Sequence, residues 1–185
     1  MFNKNENIGF IKGHMCSPAI ATQAEDLIAG GVKELIHVGY AGGLQPELVP
    51  GEIILTDGAF NDTAVARLYG YDYDIIHSSK DLTNEIEEMI TSAEILYKRG
   101  FHWTTDAGYR ETWGQVMDYR DKGALCVEME GVGLFTIANY RKCVATGIYV
   151  VSDVYLEDDW KLGWEGNDIK KAVGEIIDMI IKSIR

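Results

Sequence analysis

The sequence predicts an α/β fold: one domain over residues 1–185, with a central, mostly parallel, twisted sheet flanked by helices. Three observations carry this. Apolar runs at 34–39, 52–56 and 144–151 alternate with longer segments whose apolar residues recur every three or four positions. The run 147–151 has no polar alternation, as expected of a strand covered on both faces. Strands that alternate with helices build parallel sheets through right-handed crossovers.

The elements run in order from the N-terminus. The first ten residues suit a strand fragment or a loose end. Ser17-Pro18 reads as a helix start, with Ser17 as cap and Pro18 in the first turn. The helix over 19–29 closes on Gly30-Gly31. A strand over 34–39 leads into a glycine-rich turn at 40–43, and Pro50-Gly51 introduces a strand over 52–56. Leu82, Ile86, Met89, Ile90, Ala93, Leu96 and Tyr97 predict a helix over 81–98, with Gly100 beyond its end. A short strand at 101–104 and a helix at 113–122 come next. Then come a strand at 124–128, a helix at 131–140 and a strand at 144–151. A final helix over 167–184 aligns Ile169, Ala172, Val173, Ile176, Ile177 and Ile180 on one face.

The totals exclude some functions. With 185 residues the chain can bury a real core. Its formal net charge of -12 argues against nucleic-acid binding, which needs a basic face. No apolar run approaches the roughly 18–20 residues of a membrane span. The polar start lacks a signal peptide's apolar core. Cys16, Cys126 and Cys143 are odd in number and widely spaced, as expected of reduced thiols. A cytoplasmic protein that contacts neither membrane nor nucleic acid is expected.

Four segments hold candidate chemistry. At 37–43, a strand runs into Tyr40, Ala41, Gly42 and Gly43, whose N–H groups either approach an anion or sugar or form a plain turn. At 103–112, Tyr109 and Arg110 either meet a flat ring and a carboxylate or sit in a solvated loop with Glu111. Glu128, Met129 and Glu130 straddle a strand-to-helix junction, where carboxylates can accept sugar hydroxyls and a thioether can pack on a ribose. A helix-dipole role would explain Glu130 but not Glu128 within an apolar strand. Asp153 lies after the buried-type run and Ser152, which suits a proton donor or a cap of the next segment. The isolated histidines 14, 37, 77 and 102 have no metal-ligand spacing, so no metal is expected.

From Ser17 onward the chain resembles the nucleoside phosphorylase family, of the uridine phosphorylase and hexameric purine nucleoside phosphorylase type, which also includes the methylthioadenosine nucleosidases. The motifs are VGYAGGLQP at 38–46, PGEIILT at 50–56, WTTDAGYRET at 103–112, VEME at 127–130 and VSD at 151–153, in the family's order. The resemblance implies phosphorolysis of a nucleoside to free base and ribose 1-phosphate. Phosphate is then the co-substrate, and no cofactor is needed. By this resemblance Met129 and Glu130 hold the ribose, Tyr109 lines the base pocket and Glu128 lies beside the base. Tyr40, Ala41 and Gly42 also touch substrate. Asp153 protonates a purine ring nitrogen as the glycosidic bond breaks. Relatives are dimers or trimers of dimers, so a homo-oligomer is expected.

The chain also departs from the family pattern. Only sixteen residues precede Ser17, and none reproduces the family's phosphate loop. His37 stands where phosphorylases carry a phosphate-binding arginine, and Tyr40 replaces a small hydroxyl residue. The family's arginine near Asn61-Asp62 is missing. The Gln-x-Arg pair of uridine phosphorylases is absent after Tyr109, and Asp153 is present, which together favour a purine. The altered phosphate half leaves two alternatives: a hydrolytic nucleosidase and a non-catalytic nucleoside- or nucleobase-binding protein.

Overall fold

The computed structural model describes residues 8–156, 160–163 and 166–183. Among these residues seven strands form one sheet in the order β3-β2-β4-β5-β1-β6-β7, where β1 is Glu34–Gly43, β2 Ile53–Asp62, β3 Ile75–His77, β4 Lys98–Thr105, β5 Cys126–Glu128, β6 Val144–Tyr155 and β7 Trp160–Leu162. The α/β expectation holds, and the sheet is mixed. β1–β6, β2–β4 and β4–β5 are parallel, whereas β1–β5, β2–β3, β2–β6 and β6–β7 are antiparallel. The β2–β6 pairing curls the sheet toward a barrel, whose inner side holds Ile54, Tyr149, Val151 and Cys126.

Among the described residues six α-helices accompany the sheet: α1 (Ser17–Ala29), α2 (Val65–Leu68), α3 (Lys80–Ser92), α4 (Trp113–Asp121), α5 (Gly131–Arg141) and α6 (Asn167–Ser183). α5 is apolar nearly all round and packs with α1. α3 and α6 cover another face through Leu82, Ile86, Ile90, Ile169, Ile176 and Ile180. Burying such side chains contributes about 1.5–3 kcal/mol each.

Several elements differ from the sequence reading. Of the first ten residues, read as a strand fragment or loose end, the first seven lie outside the described residues, and the rest, with 11–16, are irregular, as a loose end would be. α1 is capped at Cys16, not Ser17. The glycine-rich 40–43 segment is not a turn but the end of β1, because both of its neighbours, β5 and β6, supply ladder partners. The helix predicted over 81–98 stops at Ser92. Glu94 adopts φ 55°, and Lys98 and Arg99 begin β4, held by Glu52 and Asp57. Leu96, assigned to the helix's apolar face, is exposed.

One irregularity sets the geometry of the site. β1 pairs with β6 as Ala41↔Val151 and then Gly42↔Asp153, so Ser152 is the extra residue of a bulge. A bulge flips the alternation of the residues beyond it. Asp153 therefore leaves the inner side of the barrel, where Val151 lies, for the opposite face.

Candidate active site

Glu128 ends β5 fully engaged. Its Oε1 accepts the Thr104 hydroxyl at 2.5 Å and faces His102 Nε2 at 3.0 Å. Its Oε2 accepts the N–H groups of Glu130 and Gly131, each at 2.8 Å. The His102 and Glu128 side chains are 0% and 1% exposed. Burial alone pushes this carboxyl up in pKa, but the His102 ring, then His37 and Thr104, hold it below the usual range. Thr56 Oγ1 lies 2.6 Å from His102 Nδ1 on the other side of the ring. Glu128 thus fixes the turn that presents Met129 and Glu130, and its oxygens point into the protein.

Glu130 is partly buried where α5 begins. Its Oε1 accepts the Cys16 N–H at 2.6 Å, which makes it the cap that α1 lacks from its own side chains. The Ser17 hydroxyl donates to Met129 O at 3.0 Å. Two distant segments are therefore stitched together at the carboxylate. Burial, then the negative charge of Glu128, pushes the Glu130 carboxyl up to about 7, against the pull of the Cys16 and Met129 N–H groups.

Asp153 lies across the sheet in the row Trp103–Val127–Gly42–Asp153–Leu162. A β-carbon placed on Gly42 would sit 2.9 Å from Tyr155 Cε2, 3.4 Å from Asp153 Oδ2 and 3.4 Å from Val127 Cγ1. Only glycine there leaves room for these groups. Asp153 and Val127 share this face, and Glu128, the next residue after Val127, points to the other. Asp153 is buried at 4% exposure, and the Ser152 hydroxyl lies 2.5 Å from its Oδ1.

The 3₁₀ turn Gly108–Arg110 follows β4 and runs beside Met129. A β-carbon on Gly108 would lie 3.4 Å from Glu111 Oε1 and 3.6 Å from Met129 Sδ. Tyr109 itself is fully exposed, and Tyr40 is 47% exposed. The solvated-loop alternative does not hold for Glu111, which accepts the Tyr155 hydroxyl on Oε2 at 2.6 Å. Burial pushes its carboxyl up, the Tyr155 bond pulls it down, and Asp153 adds to the rise. Glu111 thus links the Met129 side of the site to the Asp153 side. No sequence signal within 103–112 separates Glu111 from a surface acid, because its partner Tyr155 is 44 residues away.

His37 is partly buried, with its Nδ1 3.4 Å from the Tyr149 hydroxyl and its ring edge-on to Tyr149. Desolvation lowers its pKa, Glu128 opposes this, and His102 reinforces it. The ring is therefore neutral at pH 7. Ala41 is buried beside Val151 on the inner side. Among the described residues, no group of three or more histidine, cysteine, aspartate or glutamate side chains is arranged to hold a metal ion. Among those residues, too, no helix is long and apolar enough to cross a membrane.

Comparison with known proteins gives this arrangement a context. Residues 7–182 match the model of the phosphorylase superfamily. The chain is similar to the DeoD-type purine nucleoside phosphorylase of Exiguobacterium sibiricum, 32% identical over 139 residues, covering 74% of this chain and 59% of that protein. It is also similar to the protein of the same name from Caldanaerobacter subterraneus subsp. tengcongensis, 33% identical over 156 residues, covering 78% of this chain and 67% of that one. The chain therefore spans about three fifths of the length of the first of these relatives. In fold it resembles a P. knowlesi homologue of P. falciparum PNP, with a TM-score of 0.75 at 21% identity, covering 90% of this chain and 66% of that one.

Proposed function

Because the chain belongs to the phosphorylase superfamily, we propose that it cleaves the N-glycosidic bond of a purine nucleoside with phosphate, releasing free base and ribose 1-phosphate. The observation that carries this reading is the bulge at Ser152. It turns Asp153 onto a face linked through Tyr155, Glu111 and the 108–110 turn to Met129 and Glu130.

In this reading Met129 packs on the ribose, and the second oxygen of Glu130 accepts sugar hydroxyls while Cys16 N–H holds the first. Tyr109 and Tyr40, both exposed, stack on or cover the substrate, Gly42 lies beneath it on the Asp153 face, and Ala41 contributes only backbone. Asp153 gives its proton to a ring nitrogen of the base. The C1′–N bond breaks with its electron pair going to the base, and a phosphate oxygen bonds to C1′ from the opposite face. An oxocarbenium-like transition state is stabilised by nearby carboxylate and phosphate charge. Glu128 acts through the turn it holds instead of touching the base. No cofactor is required. A homo-oligomer in the cytoplasm is part of the same proposal, and its size is testable by light scattering.

A second reading rests on His37. A neutral imidazole held by Tyr149 supplies no cation for phosphate, as suits a nucleosidase or a nucleoside-binding protein. One assay separates the three: inosine, adenosine and uridine, each with and without phosphate, monitored for free base and ribose 1-phosphate. Phosphate-dependent release from the purine nucleosides supports the proposal. Release without phosphate supports hydrolysis. Binding without release overturns catalysis.

A further inference from the structure

Beyond the bulge at Ser152, β1 and β6 stay paired for only two positions, Gly42↔Asp153 and Gly43↔Val154. The strands then part, because the Leu44 N–H turns to Leu125 O at 2.9 Å. The carbonyls that follow, Leu44 O and Tyr155 O, are bridged by a single side chain. Arg120 Nε donates to Leu44 O, and its Nη2 donates to Tyr155 O at 2.7 Å. The guanidinium fork thus stands where a further rung of the ladder would be. Its own place is fixed by α4. Trp113, Met117 and Arg120 follow the i, i+4, i+7 spacing of one helix face. Arg120 Nη1 lies 3.6 Å from Met117 Sδ, and the guanidinium carbon lies 5.4 Å from the centroid of the Trp113 ring. Gln45 Nε2 ties down the same end of α4, donating to Ala124 O at 2.8 Å and to Arg120 O at 3.2 Å.

We infer that Arg120 is a positioning residue: its fork locks β1 and β6 in the shifted register and so keeps Asp153 on the face of the proposed site. This rests on the cleavage reading above and adds to it the group that holds the proton donor in place. The competing register has no bulge, and in it Gly42 pairs with Ser152. Regular alternation from Val151 would then turn Asp153 to the inner side of the barrel. Two ladder positions on β1, the pairing with β7 and Arg120 stand against that slip. The slip would set Leu44 opposite Val154 and draw Tyr155 O about 3.3 Å along the strand, out of reach of a fork that also holds Leu44 O. A planar guanidinium can hold both carbonyls, whereas a compact ammonium cannot.

The test compares the parent with Arg120→Leu and Arg120→Lys, with thermal unfolding as the check of folding. On a purine nucleoside, Arg120→Leu is expected to lose about tenfold or more in kcat while KM stays within about threefold. Met129 and Glu130 keep their place because Glu128 and Cys16 hold them, not β6. Arg120→Lys keeps the stem and the charge but reaches one carbonyl, so it should resemble the Leu variant more than the parent. In an Asp153→Asn background, Arg120→Leu should cost less than about twofold in kcat, because the donor it places is already gone. An undiminished loss in that background, a parent-like Lys variant, or a rise in KM at constant kcat would overturn the inference.

Amide hydrogen exchange separates this inference from the reading it rests on, since it needs no turnover. In Arg120→Leu, exchange in 152–156 should quicken by about tenfold or more while 144–150 keeps the parent rate. If the parent cleaves no nucleoside and this local change still appears, the cleavage reading falls and the register lock stands. Exchange that quickens throughout β6, or not at all, overturns the lock. Should Arg120→Leu fail to fold, Arg120→Lys must show the same local change.

Discussion

The Glu130 carboxylate accepts the backbone N–H of Cys16 at 2.6 Å, joining the start of α1 to the end of β5 across 114 positions of sequence. The residue assigned to the ribose is therefore also a helix cap. Its role in the proposed site and the docking of α1 are expected to be coupled.

The first prediction concerns pH. The Glu130 carboxyl titrates near 7 in the folded protein, raised from an ordinary 4.5. The folded state therefore holds this proton more tightly than the unfolded state does. Its contribution to stability is fully present below about 4.5 and is lost as pH rises through 7. Allowing for partial exposure, the loss is on the order of 2 kcal/mol. Urea unfolding at a series of pH values should show the parent losing that much more than Glu130→Gln between pH 5 and 8. Parallel curves would refute the assignment. Ribose-containing ligands should bind more tightly above pH 7, where the carboxylate is the full acceptor.

A second prediction concerns Asp153. Replacing a positioned proton donor costs about 100-fold or more in rate. Asp153→Asn should lower kcat on a purine nucleoside by that factor and leave nucleoside binding within a few-fold. Ser152 can donate to the new amide oxygen as it does to the carboxylate, so folding should survive. Parent-like turnover in Asp153→Asn would remove Asp153 from the donor role.

The His102–Glu128 pair gives a third. Both side chains are fully buried, and the carboxylate depends on His102 for part of its compensation. His102→Leu leaves a buried charge with Thr104 and two backbone N–H groups only, which should cost about 3 kcal/mol. For a chain of this length the melting temperature should fall by roughly 10 °C. Glu128→Gln in the same background should cost less than it does alone, by more than about 1 kcal/mol of coupling. Additive losses in that cycle would show that the two side chains do not act as a pair.

How much the sequence disclosed depends on where the information resides. The buried run of β6, the helix α5 and the amphipathic face of α6 were legible because periodicity and burial are local properties. The motif residues Met129, Glu130 and Asp153 were legible as acids and a thioether at strand ends. The end of α3 was not, since Ala93, Leu96 and Tyr97 continue its spacing. Ion pairs to Glu52 and Asp57, decided elsewhere in the chain, commit Lys98 and Arg99 to β4. The bulge at Ser152 leaves no local mark, because it is a mismatch between two strands more than 100 residues apart. His102 looked isolated for the same reason: its partner is 26 positions away. Glu111 and Tyr155 show the same limit within the site itself.

The last prediction tests the stitching of α1 to the site. Gly133 lies in the first turn of α5, where a β-carbon would fall 2.5 Å from Ser17 O and 2.9 Å from Ser17 Cα. These are backbone atoms, so the contact can be relieved only by moving α1 away from α5. Gly133→Ala should therefore destabilise by about 1–3 kcal/mol, as overpacking does. Cys16 would withdraw with Ser17, and the Glu130 carboxylate would lose the N–H that orients it. The KM for nucleoside should rise several-fold, with a smaller change in kcat, because the reacting groups near Asp153 lie on the other side of the site. Gly174→Ala, in α6 with nothing within 4 Å of the added carbon, is the control. It should stabilise by about 1 kcal/mol, since alanine is the better helix former, and leave KM unchanged. If Gly133→Ala loses stability but keeps the parent KM, the packing of α1 and the ribose site are independent.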